Sequence, residues 1–147
     1  MLLSEKIQQD IKSAMKEGRR DAVGALRMLS SALKNKQIEL QRPLADEDVV
    51  RVVQGAIKQR KDSAQQYADA GRDELAAKEL AEIEQFQAYL PAQLSDADLD
   101  GLVAQAVAAV GATGPKDMGA VMKHVLAASA GRAEGSVVSA KVRARLG

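Results

Sequence analysis

The chain has 147 residues, of which 46% are hydrophobic but only 2% are aromatic, and its net charge is +1. It contains no cysteine and one histidine, which excludes disulfides, a thiolate nucleophile and zinc sites built from cysteine or several histidines. With one Phe, two Tyr and no Trp, the aromatic platforms on which many RNA-binding sheets stack bases are nearly excluded.

Charge is distributed unevenly along the chain. Residues 1–42 carry a net charge of +4, residues 43–111 carry −7, and residues 112–147 carry +4. This pattern argues against binding to nucleic acid along the whole chain but permits a local cationic patch. The N-terminal stretch MLLSEKIQQD is charged at its fifth residue and no apolar run approaches the roughly 20 residues of a membrane span. These features predict a cytoplasmic protein with no membrane partner.

Apolar residues recur every three or four positions through almost the whole chain, a pattern typical of amphipathic helices, and strand-type alternation is absent. A first helix is predicted to end at GRR (18–20), and Asp21 is expected to cap a second. A third starts in the acidic cluster at 46–48 and stops at Gly71. A fourth is capped by Asp73 and closed by Pro91. The predicted apolar stripes are Leu3, Ile7, Ile11 and Met15; Val23, Leu26, Leu29 and Leu33; Val49, Val52, Val53, Ala56 and Ile57; and Leu75, Leu80, Ile83, Phe86 and Leu90.

Three shorter helices are predicted beyond YLPAQLS (89–95). Ser95 and Asp98 resemble a capping box at the start of the first of them, which ends before Gly111. The next opens at Gly114 and Pro115, with Pro at the first helical position. The expected fold is therefore all-α, with an N-terminal domain of about four helices at 1–91 and a three-helix module at 92–147.

The stretch SAGRAEGSVV (129–138) has two interpretations. Gly131 is expected to be a left-handed helix C-cap and Ser136 an N-cap, which would make the stretch a turn. Alternatively, a helix N-terminus beside Arg132 could bind an anion. The phosphate-loop pattern GxxxxGK[ST] is absent, so an RNA backbone phosphate fits better than a nucleotide. The other cations of this module are Lys116, Lys123, Lys141, Arg143 and Arg145.

Two further motifs carry cations in the predicted N-terminal domain. KQRKDS contributes Lys58, Arg60 and Lys61, which form either a solvated helix face or a patch for phosphate or an acidic partner. AGRDEL contributes Arg72, which either ties two helices together through Glu79 or Glu82 or contributes to a binding surface.

Catalytic groups are not indicated. Glu79, Glu82 and Glu84 lie together without a candidate nucleophile or metal cluster, and a catalytic pair needs a pocket that separates its pKa values. His124 flanks an apolar stripe and is expected to be a half-buried surface residue. We predict no catalytic residue, no metal ion and no cofactor.

The ordered motifs MKEGRRDAVGALRMLSSALKNKQIEL, KQRKDS, AGRDELAAKE, YLPAQLS, GPKDMGAVM and GRAEGSVV resemble the YqeY-like family over essentially the full chain. From about Ser95 the chain also resembles the tail of GatB, a subunit of the glutamine-dependent amidotransferase that converts misacylated Glu-tRNA or Asp-tRNA. The resemblance implies an all-α fold and a tail that contacts the outer corner of tRNA. Carried over by position, it implies contacts by Lys116, Lys123 and Arg132, with Gly131 and Gly135 shaping the turn.

Three functions follow as hypotheses. The first is a non-catalytic adaptor that binds tRNA or associates with a tRNA amidotransferase complex. The alternative is a protein–protein interaction module whose basic turn meets an acidic partner. The third, implied by homology alone, is a carbon–nitrogen ligase with glutamine as amido-N-donor, although the sequence offers neither a nucleotide loop nor a glutaminase nucleophile set.

Overall fold

The computed structural model describes residues 1–147 and contains helices and turns but no strands, which confirms the all-α prediction. The helices are α1 (Leu3–Lys16), α2 (Arg20–Leu40), α3 (Asp46–Asp69), α4 (Asp73–Gln87), α5 (Asp96–Val110), α6 (Met118–Ser129) and α7 (Gly135–Leu146), with a 3₁₀ turn at Pro115–Asp117. The chain divides into two compact units, an N-terminal unit Met1–Leu90 and a C-terminal unit Pro91–Gly147. None of the helices combines the length and apolarity needed to cross a bilayer.

Two helical hairpins build the N-terminal unit. Short connections join α1 to α2 and α3 to α4, and Gly18 and Gly71 have φ of 69° and 74° in those connections. This left-handed conformation favours glycine, so the predicted breaks at these positions are confirmed. Their shared core consists of Ile7, Ile11, Ala25, Leu26, Leu29, Leu33, Leu44, Val49, Val53, Ile57, Ile83, Phe86 and Tyr89.

Three predicted core residues of this unit are exposed. Met15 is 54% exposed. Each four-residue step from Ile7 to Ile11 to Met15 moves the side chain about 40° further around the helix, so Met15 lies off the buried face. Ala14 takes its place, three residues after Ile11. On α4, Leu75 and Leu80 are 39% and 53% exposed. They flank the buried stripe of Ala76, Ile83 and Phe86 on either side.

Two helices of this unit start where the sequence did not place their caps. The N-cap of α2 is Arg19 and that of α4 is Arg72, so Asp21 and Asp73 lie in the first turns instead. The cap predictions for both aspartates are therefore wrong. Their carboxylates still lie near the positive end of the helix dipole, where negative charge is favourable.

The C-terminal unit packs α5, α6 and α7 around a smaller aliphatic core. Ser95 caps α5 as predicted, since its hydroxyl accepts the Asp98 N–H at 3.1 Å, and Gly111 ends this helix with φ of 65°. Pro115 opens the 3₁₀ turn rather than α6 itself, and in this turn the Asp117 N–H donates to the Gly114 carbonyl at 3.0 Å. The core comprises Leu99, Val103, Ala106, Val121, Val125, Ala133, Val138 and Val142.

Candidate functional site

The turn between α6 and α7 is built by two left-handed residues. Gly131 is left-handed as predicted, with φ of 82°, but the C-cap of α6 is the preceding Ala130, which is also left-handed at 48°. The conformation of Ala130 was not predictable from the sequence, because alanine rarely adopts it. Two consecutive left-handed residues reverse the chain sharply after Ser129, the last residue of α6.

The start of α7 differs from the prediction. Glu134 is the N-cap and α7 begins at Gly135, so Ser136 lies inside the first turn and its predicted capping role is wrong. Gly135 opens α7 and is not among the glycines with positive φ, so its role in shaping the turn stays a prediction. The first helical hydrogen bond, from the Val138 N–H to the Glu134 carbonyl at 3.0 Å, fixes this earlier start.

Arg132 connects this turn to the beginning of the C-terminal unit. Its Nε donates to the Ala92 carbonyl at 2.8 Å, and its own carbonyl accepts the Leu94 N–H at 2.8 Å. Gln93 adds a longer contact, from Nε2 to the Gly131 carbonyl at 3.5 Å. The Arg132 residue is nevertheless exposed. The bond through Nε orients the guanidinium and leaves its two Nη groups available to solvent or a ligand.

Lys141 is engaged within the unit. Its ammonium lies 2.8 Å from an Asp100 carboxylate oxygen and 3.7 Å from one of Asp96. The hydrogen bond to Asp100 raises the pKa of Lys141, while burial acts in the opposite direction. Because two carboxylates compensate its charge, Lys141 is the weakest candidate ligand among the predicted cations of this unit.

Three predicted cations of the C-terminal unit stay exposed and form no ion pair. Lys116 lies in the 3₁₀ turn, Lys123 on α6 and Arg143 on α7. Lys123 is two residues from both Val121 and Val125, so helix geometry directs it away from the core. These three cations lie on three elements, and no contact among them joins them into one cluster.

The carboxylates of this unit lie mainly at helix starts. Asp96 and Asp98 belong to the first turn of α5, Asp117 is the N-cap of α6, and Glu134 is the N-cap of α7. These positions favour negative charge because the helix dipole is positive there. Hydrogen bonds from Thr113 and Gly114 lower the pKa of Asp117, the Thr113 N–H having the largest effect.

The KQRKDS motif does not form a cationic patch around Arg60, which is a correction to that prediction. Arg60 is only 8% exposed. Its Nε lies 2.8 Å from the Glu82 carboxylate, its Nη1 donates to the Ala56 carbonyl at 3.1 Å, and its guanidinium stacks 4.5 Å from the centre of the Phe86 ring. Arg60 is therefore a structural tie between α3 and α4. In the same motif Lys58 is exposed and Lys61 is half-buried.

Arg72 is exposed at the N-cap of α4 and makes no ion pair. The hypothesis that it ties helices together through Glu79 or Glu82 is wrong, because Arg60 occupies Glu82. The carboxylates considered for acid–base chemistry, Glu79, Glu82 and Glu84, do not belong to a metal-binding group. No three His, Asp or Glu side chains lie together in a way that could hold a metal ion. His124 is exposed rather than half-buried.

Sequence reasoning also missed a charged pair at the start of α3. Arg42 binds Asp48 through two hydrogen bonds of 2.7 and 3.1 Å, and the Ala45 N–H donates to the same carboxylate at 2.9 Å. The bond from Arg42, followed by that from Ala45, lowers the pKa of Asp48 to about 2. One feature of the sequence pointed to this arrangement. Asp48 lies three residues after Ala45, the spacing at which the acidic residue of a capping box accepts the N-cap N–H, although Ala45 has no side-chain oxygen to complete the box.

The chain is similar to several fungal proteins. "Altered inheritance of mitochondria protein 41, mitochondrial" of Pyrenophora tritici-repentis is 26% identical over 97% of this chain and 80% of its own length. The protein of the same name from Saccharomyces cerevisiae is 35% identical over 62% of this chain, and the match spans about half of the yeast protein. An uncharacterised protein of Schizosaccharomyces pombe is 29% identical over 61% of this chain and 73% of its own length.

These names correct one prediction. Two of the relatives are named as mitochondrial proteins, which contradicts the cytoplasmic location expected from the sequence. The family of Yqey-like proteins matches residues 4–146. Since this match covers nearly the whole chain, the protein belongs to the YqeY-like family.

Proposed function

We propose that this protein is a non-catalytic adaptor that binds tRNA, or a tRNA amidotransferase complex carrying tRNA, through the cations of its C-terminal unit. The observation that carries the proposal is the exposure of Lys116, Lys123 and Arg143, none of which forms a salt bridge. Exposed cations that are not bonded to a carboxylate remain available to a polyanion, although Asp117 acts on Lys116 through its charge. Lys141, by contrast, is already bonded to Asp100.

The chemistry of this unit favours contact with the RNA backbone rather than with bases. The chain has one Phe and two Tyr, and none of these residues lies in the C-terminal unit. Base stacking and base-specific contacts therefore have no aromatic support there. Phosphate contacts position a protein on a folded RNA through charge and shape, which suits the outer corner of a tRNA.

Arg132 supports the proposal in a second way. Its Nε bond to the Ala92 carbonyl holds one edge of the guanidinium in place, so the Nη groups are presented in a fixed direction. A guanidinium that is already oriented loses less conformational entropy when it binds a phosphate. We therefore assign Arg132 a double role, as a tie within the unit and as a phosphate ligand.

The test is a titration with tRNA at several salt concentrations. The variant Lys116→Gln/Lys123→Gln removes two phosphate ligands, so the slope of log K against log salt should become shallower by about 1.5, since each phosphate contributes roughly 0.7–0.9. The matched control, Arg51→Gln/Lys78→Gln, removes two exposed cations of the N-terminal unit that are not candidate ligands and should keep the wild-type slope. Absence of tRNA binding by the wild type at low salt, or equal slopes in both variants, would refute the proposal.

A protein–protein interaction module is the second candidate, because the exposed cations of the C-terminal unit can attract the carboxylates of an acidic partner as well as phosphates. Pull-down after nuclease treatment separates the candidates. Partners that persist without RNA and are lost in Lys116→Gln/Lys123→Gln would support the interaction module.

The proposal assigns no bond-breaking step to this chain. Carbon–nitrogen ligase activity with glutamine as amide donor would require ATP hydrolysis coupled to release of ammonia from glutamine. Glutamine-dependent ATP turnover by the purified protein would therefore contradict the adaptor and restore the ligase hypothesis.

A further inference from the structure

One flank of the α1–α2 hairpin is defined by two side-chain contacts. Gln8 Nε2 donates to Ser30 Oγ at 2.7 Å, and Arg27 Nη2 lies 3.6 Å from Met15 Sδ. As the residue number rises along α1 it falls along α2, so the two helices run antiparallel. Both contacts lie on the same side of the buried stripes of the two helices.

Five exposed cations lie along this flank. On α2, Arg20, Arg27 and Lys34 are seven residues apart, which places them on one face over about 21 Å of helix at 1.5 Å per residue. On α1, Lys12 and Lys16 are four residues apart and flank Met15, the residue that Arg27 contacts. We call this group (Lys12, Lys16, Arg20, Arg27 and Lys34) the basic flank.

No carboxylate neutralises the basic flank, since none of its members forms a salt bridge. Most acidic residues of the hairpin are already engaged, in the pairs Asp10–Tyr89, Glu17–Arg19 and Glu39–Lys36. Glu5 accepts the Leu2 N–H at 3.3 Å at the start of α1. Asp21 immediately precedes Ala22 in the buried stripe, so helix geometry directs it to the other side of α2.

This distribution of charge narrows the choice of ligand. Peripheral helices that bind membranes insert a continuous apolar face below the headgroups. At this flank only Met15 and Ile38 are exposed apolar side chains, and Ile38 lies eleven residues beyond Arg27, the residue that contacts Met15, so they form no such face. Protein interfaces concentrate their energy in aromatic and arginine anchors in pockets, and α1 and α2 contain no aromatic residue. A ridge of cations without apolar support is suited to a regular array of phosphates.

We infer that the basic flank is a second nucleic-acid surface, which binds the phosphate backbone of RNA through Lys12, Lys16, Arg20, Arg27 and Lys34. It goes beyond the proposed function because it lies in the N-terminal unit and involves none of the residues assigned to tRNA contact above. The two proposals share only the class of ligand. Binding at this surface is independent of base sequence, because phosphates carry no sequence information.

The experiment measures binding of a mixed-sequence RNA duplex and of tRNA over a range of salt concentrations. Arg27→Gln/Lys34→Gln is compared with Arg51→Gln/Lys78→Gln, a control that removes one exposed arginine and one exposed lysine from α3 and α4. For both RNAs the flank variant should make the slope of log K against log salt shallower by about 1.5. Between about 50 and about 200 mM salt, the fold-loss of affinity should therefore be about eight times smaller for the variant than for the wild type. The control should match the wild type, and both variants should keep the wild-type melting temperature.

The outcomes separate this inference from the proposed function. A slope that changes in the flank variant but not in Lys116→Gln/Lys123→Gln supports the basic flank and refutes the C-terminal site. The reverse result refutes the basic flank and leaves the C-terminal site standing. A flank variant that binds RNA normally but loses a protein partner retained after nuclease treatment would overturn the assignment to RNA in favour of an acidic protein.

Discussion

The two units of this protein differ in whether they bury charged residues. In the N-terminal unit, Asp48 and Arg60 are buried and bonded to partners on the same unit. In the C-terminal unit the one buried polar residue is Ser129, and the cations proposed to bind RNA lie at the surface. A charged residue within a sequence motif can therefore be a buried structural tie in the N-terminal unit, whereas no charged residue of the C-terminal unit is buried.

Helix length accounts for part of this difference. The helices α2 and α3 have 21 and 24 residues, whereas those of the C-terminal unit have 12 to 15. A long helix crosses its neighbours along its middle, where a charged side chain such as Arg60 must either find a partner or be excluded from the core. In the shorter helices most charged residues are close to an end, where water or the helix dipole accommodates them.

Phe86→Ala should produce the largest effect and tests whether the units behave separately. The ring is completely buried, and its loss should lower the free energy of unfolding by about 4 kcal/mol. We propose that 1–91 and 92–147 are separate domains, so amide exchange should accelerate in the N-terminal unit and remain unchanged in α5–α7. Equal acceleration in both units would contradict that division.

Arg60→Met should cost about 3 kcal/mol, because Glu82 is then left without its partner in a largely buried position. As a control, Lys58→Met changes an exposed residue of the same motif and should alter the free energy of unfolding by no more than about 0.5 kcal/mol. Urea unfolding measures both variants, and Arg60→Met/Glu82→Leu should recover most of the loss. A cost for Arg60→Met no larger than that for Lys58→Met would show that the pair contributes nothing.

Gly131→Ala should lower stability by more than about 1 kcal/mol, since a Cβ is unfavourable at a φ of 82°. The matched control Gly135→Ala changes a helical glycine whose added Cβ would meet nothing within 4 Å, and it should be neutral or slightly stabilising. Thermal melting distinguishes the two. Similar melting temperatures for both variants would refute the distinction between the turn glycine and the helix glycine.

Asp48 should give the N-terminal unit a pH dependence of stability. The Arg42 bond holds the pKa of Asp48 at about 2, below the value of 3.8 for an unperturbed aspartate. A lowered pKa contributes stability above the unfolded pKa, and this contribution is lost as the pH falls from about 4 towards about 2. Asp48→Asn should therefore melt below the wild type at pH 7 and approach it near pH 2.

Arg132→Ala should give a mixed result in the C-terminal unit. Loss of the Nε bond to the Ala92 carbonyl should cost about 1 kcal/mol, and tRNA affinity should also fall. Comparison with Lys123→Ala, which lacks any such bond, separates the two effects when melting and binding are measured together. Unchanged tRNA affinity in the folded Arg132→Ala protein would reduce this residue to its structural role.

Local signals made much of the fold predictable. The breaks at Gly18 and Gly71, the end of α5 at Gly111 and the cap at Ser95 depend on neighbouring backbone groups alone, and all are found in the structure. The candidate site was less predictable. The start of α7 at Gly135 rather than after Ser136 depends on how Val138 and Val142 pack, which the turn residues do not specify.

The sequence by itself determined that this protein is helical and where most of its helices end, because periodicity and chain breaks are properties of adjacent residues. Only the tertiary structure decided which charges are available. Arg60 and Lys58 belong to one motif, yet one stacks on Phe86 beside Glu82 while the other faces solvent. Helix periodicity defines a face, but the partner on the next helix, tens of residues away, determines whether a cation on that face is buried or exposed.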